Sequence, residues 1–535
     1  MKVDGSLVIL LVFLAAVSTF LNYRGFGREN QIAEFPILYR VMDSNYLPND
    51  FYTNRASEFG PRYLYAKFTA FIANEDSLPL IAFLLTLLIN AAVVLITFFF
   101  ARDIFRGSIL AGLLAALLVM TVKTFALGYW PHIYVRQLLS GSLAVPFIFA
   151  SFWAAIRRRP YLLAFCAGIA LLIHPTFGAE CGVLAFLLLY VRVILNKKTP
   201  LQPGILKLAG AVVIFLIFVA LPLLPYLALD HIDTRQFMAI ETFLRHPHHS
   251  VPSFFRGGDY AAAVIFLLAA GLAWFMSNRQ EVTFPFITIV ILFFCICGYI
   301  FVEIIPLRLM AFARPFRLLF IVKWLGLIMI AGAMARFLRE KGNRALTLIH
   351  KIKPGFVYAV VIVVVGMMIL LSIIYYTPLN NILPGKTVAA IKGIMPELRY
   401  ADLRTLEVEA ARFARGNTPE DAIFLTPPVF GKFRLVARRA LVVDWRSFPF
   451  QDRAMVEWRQ RIFDCYGVPG FVGHYAREEL NGNYKKIRDS VILELRKKYG
   501  FAYAVLYQET PTKFPVIYEN RKYKILHLRE RYDEG

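Results

Sequence analysis

The sequence predicts a mainly α protein: a polytopic transmembrane helix bundle of about eleven spans, with a small extracytoplasmic α/β domain after the last of them. Three observations predict it. Hydrophobic residues make up 58% of the chain and aromatics 15%, against only 18% charged, a balance that a fully water-exposed surface does not tolerate. Apolar runs long enough to cross a hydrocarbon core of roughly 30 Å recur along the first three quarters of the chain. From Thr377 the composition shifts abruptly to short alternating helix and strand patterns.

In chain order, spans are expected at Ser6 to Leu21, Leu78 to Ala101, Ser108 to Leu127, Leu138 to Ile156, Ala179 to Leu195, Ile205 to Leu227, Tyr260 to Ser277, Thr283 to Ile304, Leu318 to Phe337 and Gly355 to Tyr376, with the shorter Tyr161 to Ile173 as one more. The first run lacks a small-x-small cleavage site and is followed by Tyr23 and Arg24, so it reads as a retained anchor. Residues 22–77 are too long for a plain connector. Their aromatics (Phe35, Tyr39, Tyr46, Phe51, Tyr52) and breakers (Pro36, Pro48, Asn49) predict short helices lying on the membrane interface. The chain thus divides into a membrane domain, 1–376, and an α/β domain, 377–535. In the latter, Leu403 to Arg415, Gln451 to Phe463 and Tyr484 to Tyr499 read as helices. "DAIFLTPP", "RRALVVDW" and "AYAVLYQE" read as strands, and "FPVIYENRKYKILHL" as a hairpin. Such alternation favours a small mixed or parallel sheet.

Lysine and arginine in the short loops set the orientation. With the N-terminus inside, the inner loops carry Arg102 and Arg106, Arg157 to Arg159, Arg192 with Lys197 and Lys198, Arg279, and the run from Arg336 to Lys353. An odd number of spans then puts the C-terminal domain outside. The net charge of +23 is absorbed by these topology signals, and no interleaved basic and aromatic motif points to nucleic acid. Four of the five cysteines lie in or beside spans and Cys465 is alone, which excludes a disulfide framework.

Of nine histidines, His231, His246, His248 and His249 lie in one outer connection, the last three in "HPHHSVPSFF". They suit a diphosphate, proton transfer or a divalent metal; the acidic partners that would complete a metal site are not adjacent in sequence. Asp50 and Asp43 are the expected catalytic carboxylates, held just outside the membrane among aromatics where they can orient an acceptor and take its proton. The other reading of Asp50 is a cap on a short interfacial helix. Arg308, Arg314 and Arg317 in "PLRLMAFARPFRLL" break the positive-inside pattern, and their planar forks suit a phosphate. His132 and Arg136 in "WPHIYVRQ" and His174 in "IHPTFG" fall on the same predicted face, and ionisable groups at span ends that face a cavity point to function.

A first outer loop of amphipathic pieces carrying an aspartate, about eleven spans and an outer α/β domain together resemble the GT-C superfamily of polyprenyl-phosphate-dependent glycosyltransferases. More narrowly, "PILYRVMDSNYLPNDFYTN", "LLIHPTFG", "LRHPHHSVPSFF" and "ARPFRLLF" resemble a bacterial membrane family with a PHH-x-x-PS signature. The GT-C resemblance implies a loop aspartate, matched by position to Asp50 or Asp43, and a lipid-phosphate donor cradled by Arg314 and Arg317. Asp-x-Asp and Glu-x-Asp pairs, typical of metal-dependent members, do not occur in the first loop; no metal residues and no cofactor are assigned.

The expectation is therefore a glycosyltransferase of the bacterial inner membrane, moving a sugar from a polyprenyl-phosphate-linked donor to a glycan, lipid or protein acceptor at the outer face. The alternative is a non-enzymatic transporter or assembly component for lipid-linked envelope glycans that uses the same basic pocket to bind. Charges deep in spans would favour transport, and Lys123 and Lys323 are the main ones expected there.

Overall fold

The computed structural model describes residues 5–128, 131–195, 201–340 and 405–528, with a few positions between 355 and 387. Ten of the eleven expected spans are helices: α1 (Gly5–Asn22), α5 (Leu78–Ile104), α6 (Ile109–Thr121), α7 (Ser140–Ile156), α8 (Pro160–Ile173), α9 (Pro175–Ile194), α10 (Leu201–Leu227), α13 (Gly257–Asn278), α14 (Thr283–Tyr299) and α16 (Leu319–Glu340). The eleventh, Gly355 to Tyr376, lies outside the described residues. Among those described, seven helices are long and apolar enough to cross a membrane, while α6, α7 and α8 are shorter.

Two of the short helices have a local cause. Residues 122–127 and 138–139, expected to extend α6 and α7, are not helical, and residues 131–137 pack back onto the bundle. Asn90, buried in the middle of α5, donates to Val135 O at 2.7 Å and accepts from Val135 N at 2.9 Å. Tyr134 OH meets Thr19 Oγ1 of α1 at 2.6 Å. A buried amide inside an apolar helix needs such partners, and it finds them in a non-helical strap. Lys123, expected in a span, sits in the first of these non-helical runs beside a hollow with His132. Lys323 is buried in α16, its ammonium 4.5 Å from the centre of the Phe125 ring.

The first long loop forms α2 (Gln31–Met42), α3 (Phe51–Ala56) and α4 (Tyr63–Ile72). The expected interfacial position holds less well for α2, whose residues from Gln31 to Tyr39 are all buried. It is covered by the C-terminal domain: a Cβ on Gly431 would stand 2.8 Å from Ile32 Cγ2. Two small helices, α11 (Thr234–Phe237) and α12 (Pro247–Ser250), flank a π-helical turn at Met238–Arg245, and α15 (Arg308–Ala313) precedes α16.

The C-terminal domain is built on a five-stranded sheet ordered β2-β1-β3-β5-β4, from β1 (Ile423–Leu425), β2 (Ala440–Leu441), β3 (Tyr503–Tyr507), β4 (Val516–Glu519) and β5 (Tyr523–His527). The sheet is mixed: β1 runs parallel to β2 and β3, while β5 pairs antiparallel with β3 and β4. The expected helix Tyr484 to Tyr499 begins later, at Asp489–Tyr499, and is preceded by a helix that was not expected, Gly473–Tyr484. The turn between them leaves Asp489 and Arg488 to begin the second.

Asp50 ties this domain to the first loop. Its carboxylate caps α3 by accepting from Thr53 N at 2.7 Å, and it also accepts from Leu441 N at 2.9 Å and from Arg434 Nε at 2.9 Å. Arg434 reaches on to Asp444 at 2.6 Å, and Asp50 and Arg434 are both 0% exposed. Burial works against the charge on Arg434, but the two carboxylates hold its pKa above the ordinary guanidinium value, while Asp444 is lowered by that same guanidinium against its own burial. Removing one partner of a buried pair strands the other, at a cost of about 3–5 kcal/mol. Asp50→Ala is accordingly expected to lower the thermal unfolding midpoint and to open the C-terminal domain to protease, and an unchanged digestion profile in the purified variant would refute this role.

Candidate functional site

At the end of the bundle where the C-terminal domain sits, a cleft of about 200 Å³ is lined by residues from seven separate stretches of the chain. Glu34 comes from α2, Arg62 from the start of α4, Ser140 and Gly141 from the first turn of α7, and His174 from the junction of α8 and α9. The π-helical turn supplies Glu241 and Arg245, and α12 with its preceding residue supplies the histidines. Arg314 and Arg317 follow α15, and Arg446, Phe448 and Phe450 belong to the C-terminal domain.

Local backbone features aim several of these groups. A π turn fits one more residue than an α turn and recurs at functional sites; here it puts Glu241 and Arg245 on the cleft side, and Pro247 then starts α12. Arg314 is left-handed, with φ of 47°, a conformation that costs a non-glycine residue about 1–3 kcal/mol. That reversal between α15 and the next turn sends Arg314 and Arg317 to the same wall. Gly128 (φ of 70°) makes room for it, since a Cβ there would lie 2.4 Å from Phe316 O.

Both carboxylates are buried. Glu34 accepts from Ser140 N at 3.0 Å and Ser140 Oγ at 3.1 Å, at the N-terminus of α7, and Arg62 Nε stands 3.5 Å away. Burial pushes its pKa above the ordinary carboxylate value, partly offset by Arg62 and Ser140. Glu241 forms an ion pair with Arg314, lies 3.2 Å from His246 Nδ1 and accepts from Thr242 Oγ1 at 3.1 Å.

Positive charge dominates the lining: Arg62, Arg245, Arg314, Arg317 and Arg446 face two carboxylates. Burial, and then Arg446, pull Arg245 down to about 9. His246 is held well below its ordinary value by burial and then by Arg245 and Arg314, and His249 by burial and then by His248 and Arg314. The His248 ring lies 4.1 Å from that of His249 and is lowered in the same direction, although the residue opens to water at the cleft mouth, which screens its neighbours' charges. The imidazoles are thus neutral donors and acceptors inside a basic pocket. An unfilled cluster of guanidinium groups repels itself, so the cleft is suited to an anion.

Of the residues expected from the sequence, Arg314, Arg317, His174, His246, His248 and His249 meet in this cleft. Asp50 lies outside it: both oxygens of its carboxylate are engaged by Arg434, Thr53 and Leu441, the arrangement that the capping reading describes. Asp43 is exposed at the end of α2, where its side chain accepts from Asn45 N at 2.9 Å, and it lines none of the described hollows near the cleft. Arg308 is a second tie between bundle and C-terminal domain, 2.7 Å from Asp452 and 4.4 Å from the Phe237 ring centre. His132 and Arg136 line a separate hollow with Arg24 and Lys123. Among the described residues, no three His, Cys, Asp or Glu side chains stand together so as to hold a metal ion.

Glu34, Glu241, Arg62, Arg245 and Arg446 were not singled out from the sequence. Glu34 lies within "NQIAEFP" near the head of the first loop, and Glu241 precedes the histidines by five residues in "ETFLRH". A buried carboxylate on an otherwise apolar segment was the signal available in both.

Residues 407–465 match a family model described as a domain of unknown function, DUF6798. No curated protein matches the chain. Among solved structures the chain is similar to the crystal structure of ArnT from Cupriavidus metallidurans bound to undecaprenyl phosphate, at 14% identity over 99% of both chains with a TM-score of 0.49, and to the same protein in the apo state at 0.48. Identity this low transfers no residue's role.

The neutral, buried His246 makes stability depend on pH in a known direction. Its folded pKa is below the unfolded value near 6.5, so below that pH the unfolded chain takes up a proton that the folded chain excludes. The stability is fully present above about 6.5 and is lost on acidification, by up to about 1.4 kcal/mol per pH unit. His246→Gln removes this share, and its thermal midpoint should fall less than that of the parent between neutral and mildly acid buffer; parallel curves would refute the neutral assignment.

Proposed function

We propose that this protein is a membrane glycosyltransferase of the GT-C kind that moves a sugar from a polyprenyl-phosphate carrier to an acceptor at the outer face of a bacterial inner membrane. The observation that carries the reading is the meeting, in one cleft at the end of an apolar bundle, of a buried carboxylate, Glu34, with the guanidinium groups of Arg62, Arg245, Arg314 and Arg317. A lipid-borne phosphate sugar needs a cationic pocket at a membrane boundary, and an incoming hydroxyl needs a base beside it.

In this reading the acceptor oxygen attacks the anomeric carbon while its proton passes to Glu34. The bond between that carbon and the phosphate oxygen breaks, and its electron pair leaves with polyprenyl phosphate, whose new charge is met by Arg314 and Arg317. Glu241 holds Arg314 in place. The raised pKa of Glu34 makes it a stronger base once ionised, and the neutral His246 and His249 offer hydrogen bonds to the sugar without adding charge. Glu34 takes the part that the sequence had suggested for Asp50 and Asp43, and Arg308, Arg136 and His132 drop out of the donor site.

Incubating the purified protein with labelled polyprenyl-phosphate sugar tests the reading. Release of free polyprenyl phosphate is expected, and Glu34→Gln should slow it about 10²- to 10⁴-fold while lipid binding persists. Arg314→Ala should weaken lipid binding itself. Unchanged turnover in Glu34→Gln removes that residue from the chemistry, and lipid binding by the parent protein with no release in the presence of membrane extract as acceptor leaves only the binding role of a transporter or assembly component.

A further inference from the structure

We infer that the tip Val468 to Tyr475 of the C-terminal domain, a loop and the first turn of the helix Gly473–Tyr484, inserts into the surface of the lipid bilayer beside the histidine-bearing wall of the cleft. Among the described residues of that domain, five large apolar side chains are exposed, and four of them are in this tip: Val468 at 71%, Phe471 at 63%, Val472 at 37% and Tyr475 at 49%. A small domain does not gather its exposed apolar side chains at one point without a partner for them.

The position of the loop identifies that partner. His474 and Tyr475 pack edge-on against Phe254, with ring centres 5.5 and 6.0 Å apart, and a Cβ on Gly473 would stand 2.8 Å from Pro247 Cγ. Phe254 lies three residues before α13, whose outward face carries the exposed Val264, Ile265, Leu268 and Leu272 expected of a lipid-facing span. Ser253 N donates to Glu303 at 2.8 Å, and the exposed Ile304 and Ile305 follow at once. The apolar tip therefore continues the membrane-facing surface of α13 and α14 just where those helices end. Arg256 stands beside His474 and puts positive charge at the tip, where anionic headgroups would meet it, while Arg477 on the other side is paired with Glu478 at 2.6 Å.

The loop is also held outward. Glu479 accepts from Gly470 N at 2.9 Å and from Phe471 N at 3.1 Å, so the Phe471 ring is presented rather than free to fold back. An aromatic and two valines at this level match the way peripheral elements anchor in the headgroup region. The same loop touches Pro247, next to the histidines of the cleft, so the bilayer surface would brace that wall. The inference does not depend on the transfer reaction.

The test uses the full chain in nanodiscs of phosphatidylcholine and phosphatidylglycerol, in a Cys166→Ala, Cys297→Ala background. A nitrobenzoxadiazole fluorophore is attached at Phe471→Cys, and at Lys522→Cys in the β4–β5 turn as the control. Lipids carrying a nitroxide high in the acyl chain should quench the label at 471 on the order of twofold more than at 522, and aqueous iodide should show the reverse order. Iodide access at 471 equal to that at 522 overturns the proposal. Shielding from iodide without quenching by the lipid nitroxide also overturns it, because the loop is then covered by protein, a second copy included. Tyr475→Cys serves as an independent position should the first label perturb folding.

Discussion

Most of what gives this protein a site depends on a buried ionic chain that runs from Asp50 through Arg434 to Asp444. Asp50 belongs to the first loop of the membrane domain and the other two to the C-terminal domain, and all three are withdrawn from water. Asp444 then accepts from the backbone of Arg446 and Ser447 at 2.8 Å each, shaping the turn that brings Arg446, Phe448 and Phe450 to the cleft. The clasp thus holds the C-terminal domain against α2 and completes the cleft wall in a single connected arrangement. Such chains contribute little net stability compared with apolar packing, yet they discriminate strongly against any other register, since a displaced partner leaves a bare charge in the interior.

The cleft itself reflects a balance of opposing electrostatic effects. Burial raises Glu34 and lowers Arg245 and the histidines, so these groups are pushed toward their neutral forms. Glu241 relieves part of the crowding among the guanidinium groups by pairing with Arg314. What remains is a basic, partly dehydrated space in which a phosphate would gain more than it would in open water.

The spans were legible because a lipid-crossing helix is a local property: length and apolar content suffice, and the ten runs that fall on described residues are all helices. Their ends were less so. The non-helical run 131–139 is held by Asn90, a long-range partner that no window of sequence reveals. The histidines and Arg314 and Arg317 were found because they break local expectations. The different placing of Glu34 and Asp50 was hidden for the opposite reason: both are acidic residues among aromatics, and Asp50 is sealed by Arg434 and Leu441, nearly 400 residues away, while Glu34 lines the cleft. The late start of the helix Asp489–Tyr499 was likewise hidden, because Tyr484 ends the helix before it with its hydroxyl donating to Val505 O of the sheet at 2.8 Å.

A room with one wall on a separate lobe has an order in which it fails. The Arg446 side of the cleft leaves with the α/β lobe, whereas Glu34, Ser140 and the arginines after α15 stay on helices set in the bundle. Gentle warming that loosens the lobe would let bulk solvent flood the chamber while the membrane scaffold is still fully helical, so competence is lost well before secondary structure reports any melting.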